Sequence, residues 1–273
     1  MLVDRHGVML AEARRPTTSP DPAGAGVLDV AHELVKELGG DGDLRVGVVV
    51  PGIVDEARGI AVRAVNLGWE GLDLARMLSS RIGRDVAFGH DVRAGAVAEA
   101  RWGAASGTSG TSGVVVYVAI GTGVAAAVLV EGRPVVSDGW AGEIGQLPVA
   151  DGPLATRRME EVASAAALAH RAGLPNGRAV AERAAAGDPQ ARAAWDDAIG
   201  VLADAFAAVT AVVAPELIVV GGGLSRSGDQ LLVPLADALD ERLGTLRRPR
   251  LRTATFGEYS SAFGAAALAL GRA

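Results

Sequence analysis

Two glycine-rich turns are the first features of this sequence that could support chemistry. They are Ala119–Gly123 (AIGTG) and Val220–Gly223 (VGGG), and each follows a short apolar run rich in β-branched residues. A glycine turn at the end of a buried strand lets the backbone approach a phosphate and direct its N–H groups at the oxygens. Two such turns indicate nucleotide binding, with a pair of tight structural bends as the alternative.

Asp91 is the strongest candidate for a catalytic group. It follows the apolar run Asp85–Phe88 and precedes a helical pattern over Val92–Trp102. Such a junction lies at the carboxyl edge of a sheet, where α/β folds place their ligands. A carboxylate there can accept a proton from a substrate hydroxyl as a general base. Aspartate is also a preferred helix N-cap, and position alone favours that simpler role.

Two further polar residues have open roles. Glu143 lies in a glycine-spaced loop, Gly139–Gln146, with no helix to cap, so its carboxylate either binds a ligand or is simply solvated. His90 could be a base, a ligand or a satisfied loop histidine, and the last is usual for a lone histidine. The other three histidines are far apart in the sequence and give no metal-ligand spacing.

Composition limits the function classes. Apolar residues make up 49% of the 273 residues, enough for a large core, but aromatic residues make up only 4%, so that core must be aliphatic. A net charge of −6 argues against nucleic acid as the main partner. The absence of cysteine excludes disulfides, thiolate metal sites and a cysteine nucleophile. No signal peptide and no membrane-length apolar stretch are visible, so a soluble cytoplasmic protein is expected.

The elements that must position these residues form two predicted α/β halves. A low-complexity stretch of Ala, Ser, Thr and Gly over 103–113 separates them, so we predict an N-terminal domain of 1–108 and a C-terminal domain of 109–273. The second half is expected to end in an alanine-rich helix over Ser260–Leu270.

The local patterns predict further elements. A turn between short apolar runs at Met1–Leu10 predicts a hairpin, and Asn66–Gly71 is expected to be an irregular loop. One helix is predicted over Arg158–Ala172. Another should begin at Pro189 after an N-cap aspartate, Asp188, and run to about Val213.

Six short motifs, in their order along almost the whole chain, resemble the ROK family of repressors, open reading frames and kinases. That family includes bacterial glucokinases and N-acetylhexosamine kinases. No single motif is specific, but the combination is. The motifs are Val48–Asp55, Val65–Trp69, Gly89–Ala94, Ala119–Val124, Ala141–Gln146 and Val219–Leu224.

This resemblance implies a fold and an activity. The fold is the α/β actin-like ATPase (ribonuclease H-like) fold, with two α/β domains around a cleft that holds a sugar. The activity is ATP-dependent phosphorylation of a hexose or N-acetylhexosamine hydroxyl, and Mg²⁺ accompanies ATP to neutralise its phosphates. A homodimer is implied, and neither nucleic acid nor a membrane is an expected partner. The alternative is a catalytically impaired relative that binds a sugar or nucleotide as a sensor or regulatory partner.

The matched motifs also imply roles for individual residues. Asp91 corresponds to the family's catalytic base, and Glu143 to the sugar-binding glutamate of its Glu-x-Gly-His motif. The other residues expected at the sugar are Gly52, Asn66, His90, Gln146 and Glu160. The residues expected to hold ATP are Gly121, Thr122 and Gly123 in the phosphate turn, and Gly221, Gly222 and Gly223 in the adenosine turn.

Several positions depart from the family pattern. Gln146 replaces the zinc-binding histidine, and Asp151, Pro153 and Arg158 stand where the three zinc-binding cysteines would be. Because all four ligands are replaced together, we expect no zinc. His90 also replaces an asparagine, so the sugar preference of the family does not carry over.

A further departure concerns the first residues. The family's first strand usually ends in Asp-x-Gly-Gly-Thr, a phosphate loop, whereas Met1–Gly7 resembles the segment just after that loop. The resemblance therefore predicts that this strand and loop are missing from the chain as given. Their absence favours the impaired alternative, while the retained Asp91 and Glu143 favour the kinase.

Overall fold

The computed structural model describes residues 1–39, 42, 44–107 and 113–271. The chain divides into two compact units of noncontiguous sequence. The first unit consists of Met1–Trp102, Val136–Ala141 and Tyr259–Ala273, and the second of Gly103–Val135 and Gly142–Glu258. The predicted junction at residue 108 lies outside the described residues.

The described part of the chain alternates between strands and helices. The strands are β1 (Leu2–Val3), β2 (Met9–Ala11), β3 (Val46–Val50), β4 (Ile53–Asp55), β5 (Ile60–Ala64), β6 (Trp69–Leu72), β7 (Val86–His90), β8 (Val114–Ile120), β9 (Val124–Val130), β10 (Arg133–Pro134), β11 (Leu217–Gly221) and β12 (Arg250–Thr253). The α-helices are α1 (Ala25–Gly39), α2 (Leu74–Ile82), α3 (Asp91–Trp102), α4 (Glu160–Ala163), α5 (Ala165–Ala172), α6 (Gly177–Ala185), α7 (Pro189–Val213), α8 (Asp229–Leu243) and α9 (Ser260–Leu270).

The first unit contains small sheets covered by helices. β1 and β2 form the predicted antiparallel hairpin, β3 pairs with β7 in parallel, and β4, β5 and β6 form an antiparallel sheet. The irregular loop expected at Asn66–Gly71 is wrong, because a 3₁₀ turn over Val65–Leu67 leads directly into β6. Trp69 is the cause: its side chain is buried in the core, and it pairs with Ala64 of β5.

Helix α9 belongs to the first unit, which corrects the expectation that it lies in the second half. It packs against α3 and β3 at backbone distance, because glycines stand at the contact points. A Cβ atom at Gly264 would overlap the carbonyl group of Ala94 in α3, and one at Gly47 would overlap the carbonyl group of Ala265. The helical pattern of the sequence identified α9 but not the layer against which it packs.

The second unit is built on a five-stranded sheet with the order β10-β9-β8-β11-β12. Its two central strands, β8 and β11, run parallel and are almost entirely buried. Helix α7 begins at Pro189 as predicted, and Asp188 caps it by accepting hydrogen bonds from the N–H groups of Gln190 and Ala191. No helix within the described residues is both long and apolar enough to cross a membrane.

The single helix expected over Arg158–Ala172 is wrong. Two helices, α4 and α5, are separated by Ser164, whose backbone is extended (φ −68°, ψ 154°). The Ser164 hydroxyl accepts a hydrogen bond from the Ala167 N–H at 3.1 Å and so caps α5. A serine within an apolar run is a preferred N-cap, and this was the sequence signal for the break.

The close packing of α9 on α3 predicts an unusual response to alanine. Gly264→Ala should lower the free energy of unfolding by roughly 1–3 kcal/mol, because the added methyl group must displace one helix from the other. In an open helix position the same change stabilises by about 1 kcal/mol. Gly200→Ala in α7 is the matched control, since the nearest side-chain atom, Arg242 Nη2, lies 3.8 Å from the new Cβ. Denaturant unfolding of the two variants tests this, and a neutral or stabilising Gly264→Ala would contradict the packing.

Candidate active site

The structure brings the two glycine turns together in the second unit. Gly221 at the end of β11 pairs in register with Ala119 of β8, and the strands are parallel. Both turns therefore leave the sheet at the same carboxyl edge, the position at which α/β sheets bind ligands. The first turn connects β8 to β9, with the Gly121 N–H donating to the Gly123 carbonyl oxygen at 3.0 Å.

The fold requires some of these glycines and not others. Gly222 has a φ of +77°, and a Cβ there would overlap the Ile120 backbone, while a Cβ at Gly221 would overlap the Tyr117 hydroxyl. Around Gly121 and Gly223, by contrast, the described residues place no atom within 4 Å of a Cβ position. Packing therefore explains Gly221 and Gly222 but gives no reason for glycine at the other two positions.

Glu160 and Gln146 lie beside the first turn. Glu160 Oε1 accepts a hydrogen bond from Gln146 Nε2 at 2.6 Å. Glu160 Oε2 lies 3.0 Å from the Cβ position of Gly123 and 3.2 Å from that of Gly145. The structure thus gathers three predicted site residues, Gly123, Gln146 and Glu160, at one edge of the second unit.

Glu143 begins the loop that carries Gln146. Its carbonyl oxygen accepts the Gln146 N–H within a 3₁₀ turn over Ile144–Gln146, and its side chain is half-buried. The preceding residue, Gly142, has a φ of +102° and accepts a hydrogen bond from the Ala126 N–H of β9 at 2.8 Å. Glycine at 142 is required, because a Cβ would overlap the Ala126 carbonyl group.

Hydrogen bonds connect the two ends of the segment 146–159, which contains the positions of the zinc ligands implied by the resemblance. Arg158 Nη1 donates to the Gln146 carbonyl oxygen at 2.9 Å, and the Met159 N–H donates to the Leu147 carbonyl oxygen at 2.9 Å. Within the described ranges, no three His, Asp or Glu side chains are grouped so that they could hold a metal ion. The donor set here does not fit zinc, and the expectation of a zinc-free protein stays a prediction.

The junction of β7 and α3 carries the predicted base in the first unit. β7 ends at His90, and His90 Nδ1 accepts a hydrogen bond from the Arg93 N–H at 3.3 Å, which is the capping contact of α3. Asp91 Oδ1 accepts from the adjacent Val92 N–H at 2.7 Å and lies 3.3 Å from His90 Nε2. The Asp91 side chain is 30% exposed and that of His90 only 4%. His90 therefore supplies the cap, and the Asp91 carboxylate reaches solvent.

An ion pair between the buried Arg93 and the partly exposed Glu56 supports this junction. The Arg93 guanidinium donates from Nε to Glu56 Oε1 at 2.9 Å and from Nη2 to the Val54 carbonyl oxygen at 3.0 Å. Its Nη1 donates to the Gly139 carbonyl oxygen at 3.3 Å. Glu56 Oε1 also accepts the His90 N–H at 3.0 Å. Sequence reasoning missed Glu56, which follows a short strand and stands 34 residues before His90 without a motif.

His90 is uncharged at neutral pH. Burial, and to a lesser degree the positive charge of Arg93, lowers its pKa to about 3. A charged imidazole would have to give up its solvation and face a guanidinium, so the neutral ring is strongly preferred.

The remaining candidates of the first unit are Gly52 and Asn66. Gly52 has a φ of +96° between β3 and β4, and a Cβ would overlap the Arg63 carbonyl oxygen, so the fold itself requires this glycine. Asn66 lies exposed in its 3₁₀ turn, and its carbonyl oxygen accepts a hydrogen bond from the Ser19 hydroxyl. Neither observation assigns a sugar contact, which stays a prediction for both residues.

Solved structures establish the fold class. A ROK family glucokinase from Streptomyces griseus, crystallised with glucose and AMPPNP, matches with a TM-score of 0.84 and 25% identity over 97% of this chain and 93% of its own. An inorganic polyphosphate/ATP-glucomannokinase from Arthrobacter sp. strain KM matches with a TM-score of 0.72 and 29% identity over 99% and 93% of the two chains. The chain has the α/β actin-like ATPase fold, as the resemblance implied.

The family is established as well. The family model for the ROK family matches residues 1–272, and the chain belongs to that family.

Characterised relatives include sugar kinases. The chain is 31% identical to N-acetyl-D-glucosamine kinase of Escherichia coli O157:H7 over 95% of its own length and 91% of that protein. It is 27% identical to the glucokinase of Halalkalibacterium halodurans over 85% and 82%. It is also 35% identical to the bifunctional enzyme NanE/NanK of Brucella melitensis, over 72% of this chain but only 37% of that longer protein.

Proposed function

We propose that this protein is an ATP-dependent sugar kinase that phosphorylates a hydroxyl group of a hexose or N-acetylhexosamine. Membership of the ROK family and the relatives named as glucokinase and N-acetyl-D-glucosamine kinase support this proposal. The observation that carries it is the Asp91 carboxylate. Its side chain is 30% exposed just after the carboxyl end of β7, and its neighbour His90 makes the capping contact that would otherwise explain an aspartate there.

In the proposed reaction Asp91 accepts the proton of the attacking sugar hydroxyl. The sugar oxygen forms a bond to the γ-phosphorus of ATP as the bond from that phosphorus to the β,γ-bridging oxygen breaks, and ADP leaves with the electron pair of the broken bond. Phosphoryl transfer needs little covalent help from the protein, so positioning and electrostatic stabilisation supply most of the rate. Mg²⁺ enters with ATP as part of that substrate and neutralises phosphate charge.

The second unit supplies the proposed substrate contacts. The carboxylates of Glu143 and Glu160 can accept hydrogen bonds from sugar hydroxyls, and the Gln146 amide can both donate and accept. For ATP, the turn at Gly121, Thr122 and Gly123 is proposed to hold the phosphates. The turn at Gly221, Gly222 and Gly223 is proposed to lie against the adenosine, because it leaves the same sheet edge.

Asp91→Asn tests the base. Asparagine keeps the shape and can still accept the Val92 N–H, but it cannot take a proton from the sugar. We expect kcat to fall by roughly 10²–10⁴-fold, the usual contribution of a general base. The KM for the sugar should change little, since the amide still hydrogen-bonds a hydroxyl. Steady-state ADP release over a panel of hexoses measures both constants.

The control for this experiment is Asp85→Asn, an exposed aspartate at the start of the segment that forms β7. It should leave kcat unchanged. Near-normal turnover by Asp91→Asn on its best sugar would remove the base from the proposed mechanism.

Gly121→Ala and Gly223→Ala test the nucleotide site. Neither new methyl group meets an atom of the described residues within 4 Å, so the melting temperature should not change. If phosphate or adenosine approaches these backbones, the methyl groups will obstruct it, and the KM for ATP should rise about tenfold or more, since overpacking costs roughly 1–3 kcal/mol. Gly222→Ala is the contrasting variant and should lower the melting temperature, because its φ of +77° and the Ile120 backbone exclude a Cβ. An unchanged KM for ATP in both open-position variants would argue against nucleotide binding at these turns.

A further inference from the structure

We infer that Gln146 and Glu160 form a positioning pair for the proposed phosphate turn: the Gln146 amide holds the Glu160 carboxylate against Gly123 and so fixes the turn before ATP binds. This inference rests on the proposed role of the turn in holding ATP. It goes beyond the expectation drawn from the resemblance, which treated Gln146 and Glu160 as sugar contacts only. All of the residues concerned lie in the second unit.

Both oxygens of the Glu160 carboxylate have close neighbours. Oε1 accepts a hydrogen bond from Gln146 Nε2 at 2.6 Å, a short contact of the kind that an ionised acceptor makes. Oε2 lies 3.0 Å from the Cβ position of Gly123 and 3.2 Å from that of Gly145. The carboxylate is therefore held on one side by the amide and packed on the other side against two glycines.

This carboxylate accounts for a glycine that the backbone does not require. At Gly145 a Cβ would overlap the Val124 carbonyl oxygen, so the backbone alone demands glycine there. At Gly123, leaving aside its neighbours in the chain, the one described atom within 4 Å of a Cβ position is Glu160 Oε2. At Gly121 no described atom comes so close. Glu160 therefore restricts one end of the turn, at a position that no backbone contact crowds.

Hydrogen bonds fix the other end of the turn. The Gly121 carbonyl oxygen accepts the Ala165 N–H, at the start of α5, at 2.8 Å. The Gly121 N–H donates to the Gly123 carbonyl oxygen at 3.0 Å. Glu160 begins α4, the helix just before α5, so its side chain and the Ala165 N–H reach the turn from the same segment. The segment 160–165 thus contacts both glycines, one through the backbone and the other through the carboxylate.

The pair also connects this turn to the loop that carries Glu143. The Gln146 N–H donates to the Glu143 carbonyl oxygen at 3.1 Å, and the Gln146 carbonyl oxygen accepts from Arg158 Nη1 at 2.9 Å. Because the backbone of Gln146 is hydrogen-bonded through both its N–H and its carbonyl group, the loop presents the amide to Glu160 from a fixed position.

A fixed turn should bind ATP more tightly than a free one. Glycine has more backbone freedom than other residues, and two of the three residues of the turn are glycine. Ordering a flexible backbone opposes binding, and a turn that is already ordered avoids this loss. Without the amide to hold the carboxylate, Gly123 would regain its freedom. The affinity for ATP would then fall, although neither Gln146 nor Glu160 needs to contact the nucleotide.

Exchanging the two side chains tests the pair. Gln146→Glu sets one carboxylate against another and should drive Glu160 away from Gly123. The double variant Gln146→Glu/Glu160→Gln restores a hydrogen bond with the donor and the acceptor exchanged. The matched control is Gln146→Glu/Glu161→Gln, which has the same net charge as the exchanged pair. It removes the charge of the neighbouring glutamate, whose carboxylate accepts the Arg158 N–H instead.

Calorimetric titration with MgATP in the absence of sugar provides the readout. We expect Gln146→Glu to weaken binding about fivefold or more, the effect of having to order one backbone residue on binding. The exchanged pair should bind MgATP with an affinity close to that of the unsubstituted protein, whereas the charge-matched control should bind as weakly as Gln146→Glu. If the two residues act only at the sugar, all four affinities will be equal, and that result would overturn the inference. An exchanged pair that binds no more tightly than its control would do so as well.

An NMR measurement tests the hydrogen bond without any ligand. The chain has three glutamines and two asparagines, so five side-chain amide groups contribute to the ¹H–¹⁵N spectrum. The signal that is absent from Gln146→Glu identifies Gln146. It should move in Glu160→Ala, which removes the acceptor, and in Gly123→Ala, whose methyl group displaces Oε2. It should not move in Gly121→Ala, whose methyl group meets no described atom within 4 Å. An unmoved Gln146 signal in Glu160→Ala or in Gly123→Ala would contradict the pair.

The inference and the proposed function fail in different ways. A protein that binds no MgATP would refute the kinase proposal and this inference with it. MgATP binding that does not depend on the pair would overturn this inference alone. MgATP binding that follows the pair, with no phosphorylation of any sugar, would refute the kinase proposal alone.

Discussion

The guanidinium of Arg93 carries a full positive charge with 1% of the residue exposed, and the candidate base depends on how that charge is balanced. An isolated buried ion would cost several kcal/mol, so it persists only with well-placed partners. Glu56 supplies the countercharge, and the carbonyl groups of Val54 and Gly139 accept the other N–H groups. One side chain thereby ties β4, the start of α3 and the segment Val136–Ala141 into one unit.

The positive charge of Arg93 also affects His90, the neighbour of the candidate base Asp91. It helps hold His90 neutral, and the Arg93 backbone N–H selects the His90 tautomer. The partner of Arg93, Glu56, also accepts the His90 N–H, so the end of β7 and the first turn of α3 are fixed from two sides. A carboxylate held on such a junction is preorganised, which matters for a reaction that depends on positioning more than on covalent help from the protein.

The sequence predicted those parts of the fold that are determined by residues close together in the chain. The start of α7 followed from Asp188 and Pro189, and the glycine turns were correctly placed at the ends of β8 and β11. The prediction of one helix over Arg158–Ala172 was wrong because Ser164 caps a new helix. The apolar spacing on both sides of Ser164 is helical, so the pattern alone did not reveal the break. The short strands β4 and β6 were missed because their pairing, and not their own pattern, makes them strands.

The sequence proposed only some of the residues that the structure places at the candidate site. Asp91, Glu143 and the glycine turns came from motifs, but the resemblance gave no role to Glu56 and placed His90 at the sugar. The Arg93–Glu56 contact joins residues 37 positions apart, and no spacing pattern in the sequence predicts that these two residues meet. Only the coordinates show at which of these positions packing requires glycine, since the three glycines of Gly221–Gly223 look alike in the sequence.

Every functional assignment above depends on the proposed transfer of phosphate from ATP to a sugar. The most direct test is ³¹P NMR of the unsubstituted protein with Mg²⁺, ATP and a panel of hexoses and N-acetylhexosamines. We expect at least one sugar to yield ADP and a phosphomonoester in equal amounts, with neither formed when the sugar is omitted. Saturable binding of sugar and ATP with no phosphomonoester from any member of the panel would contradict it and identify a binding protein instead.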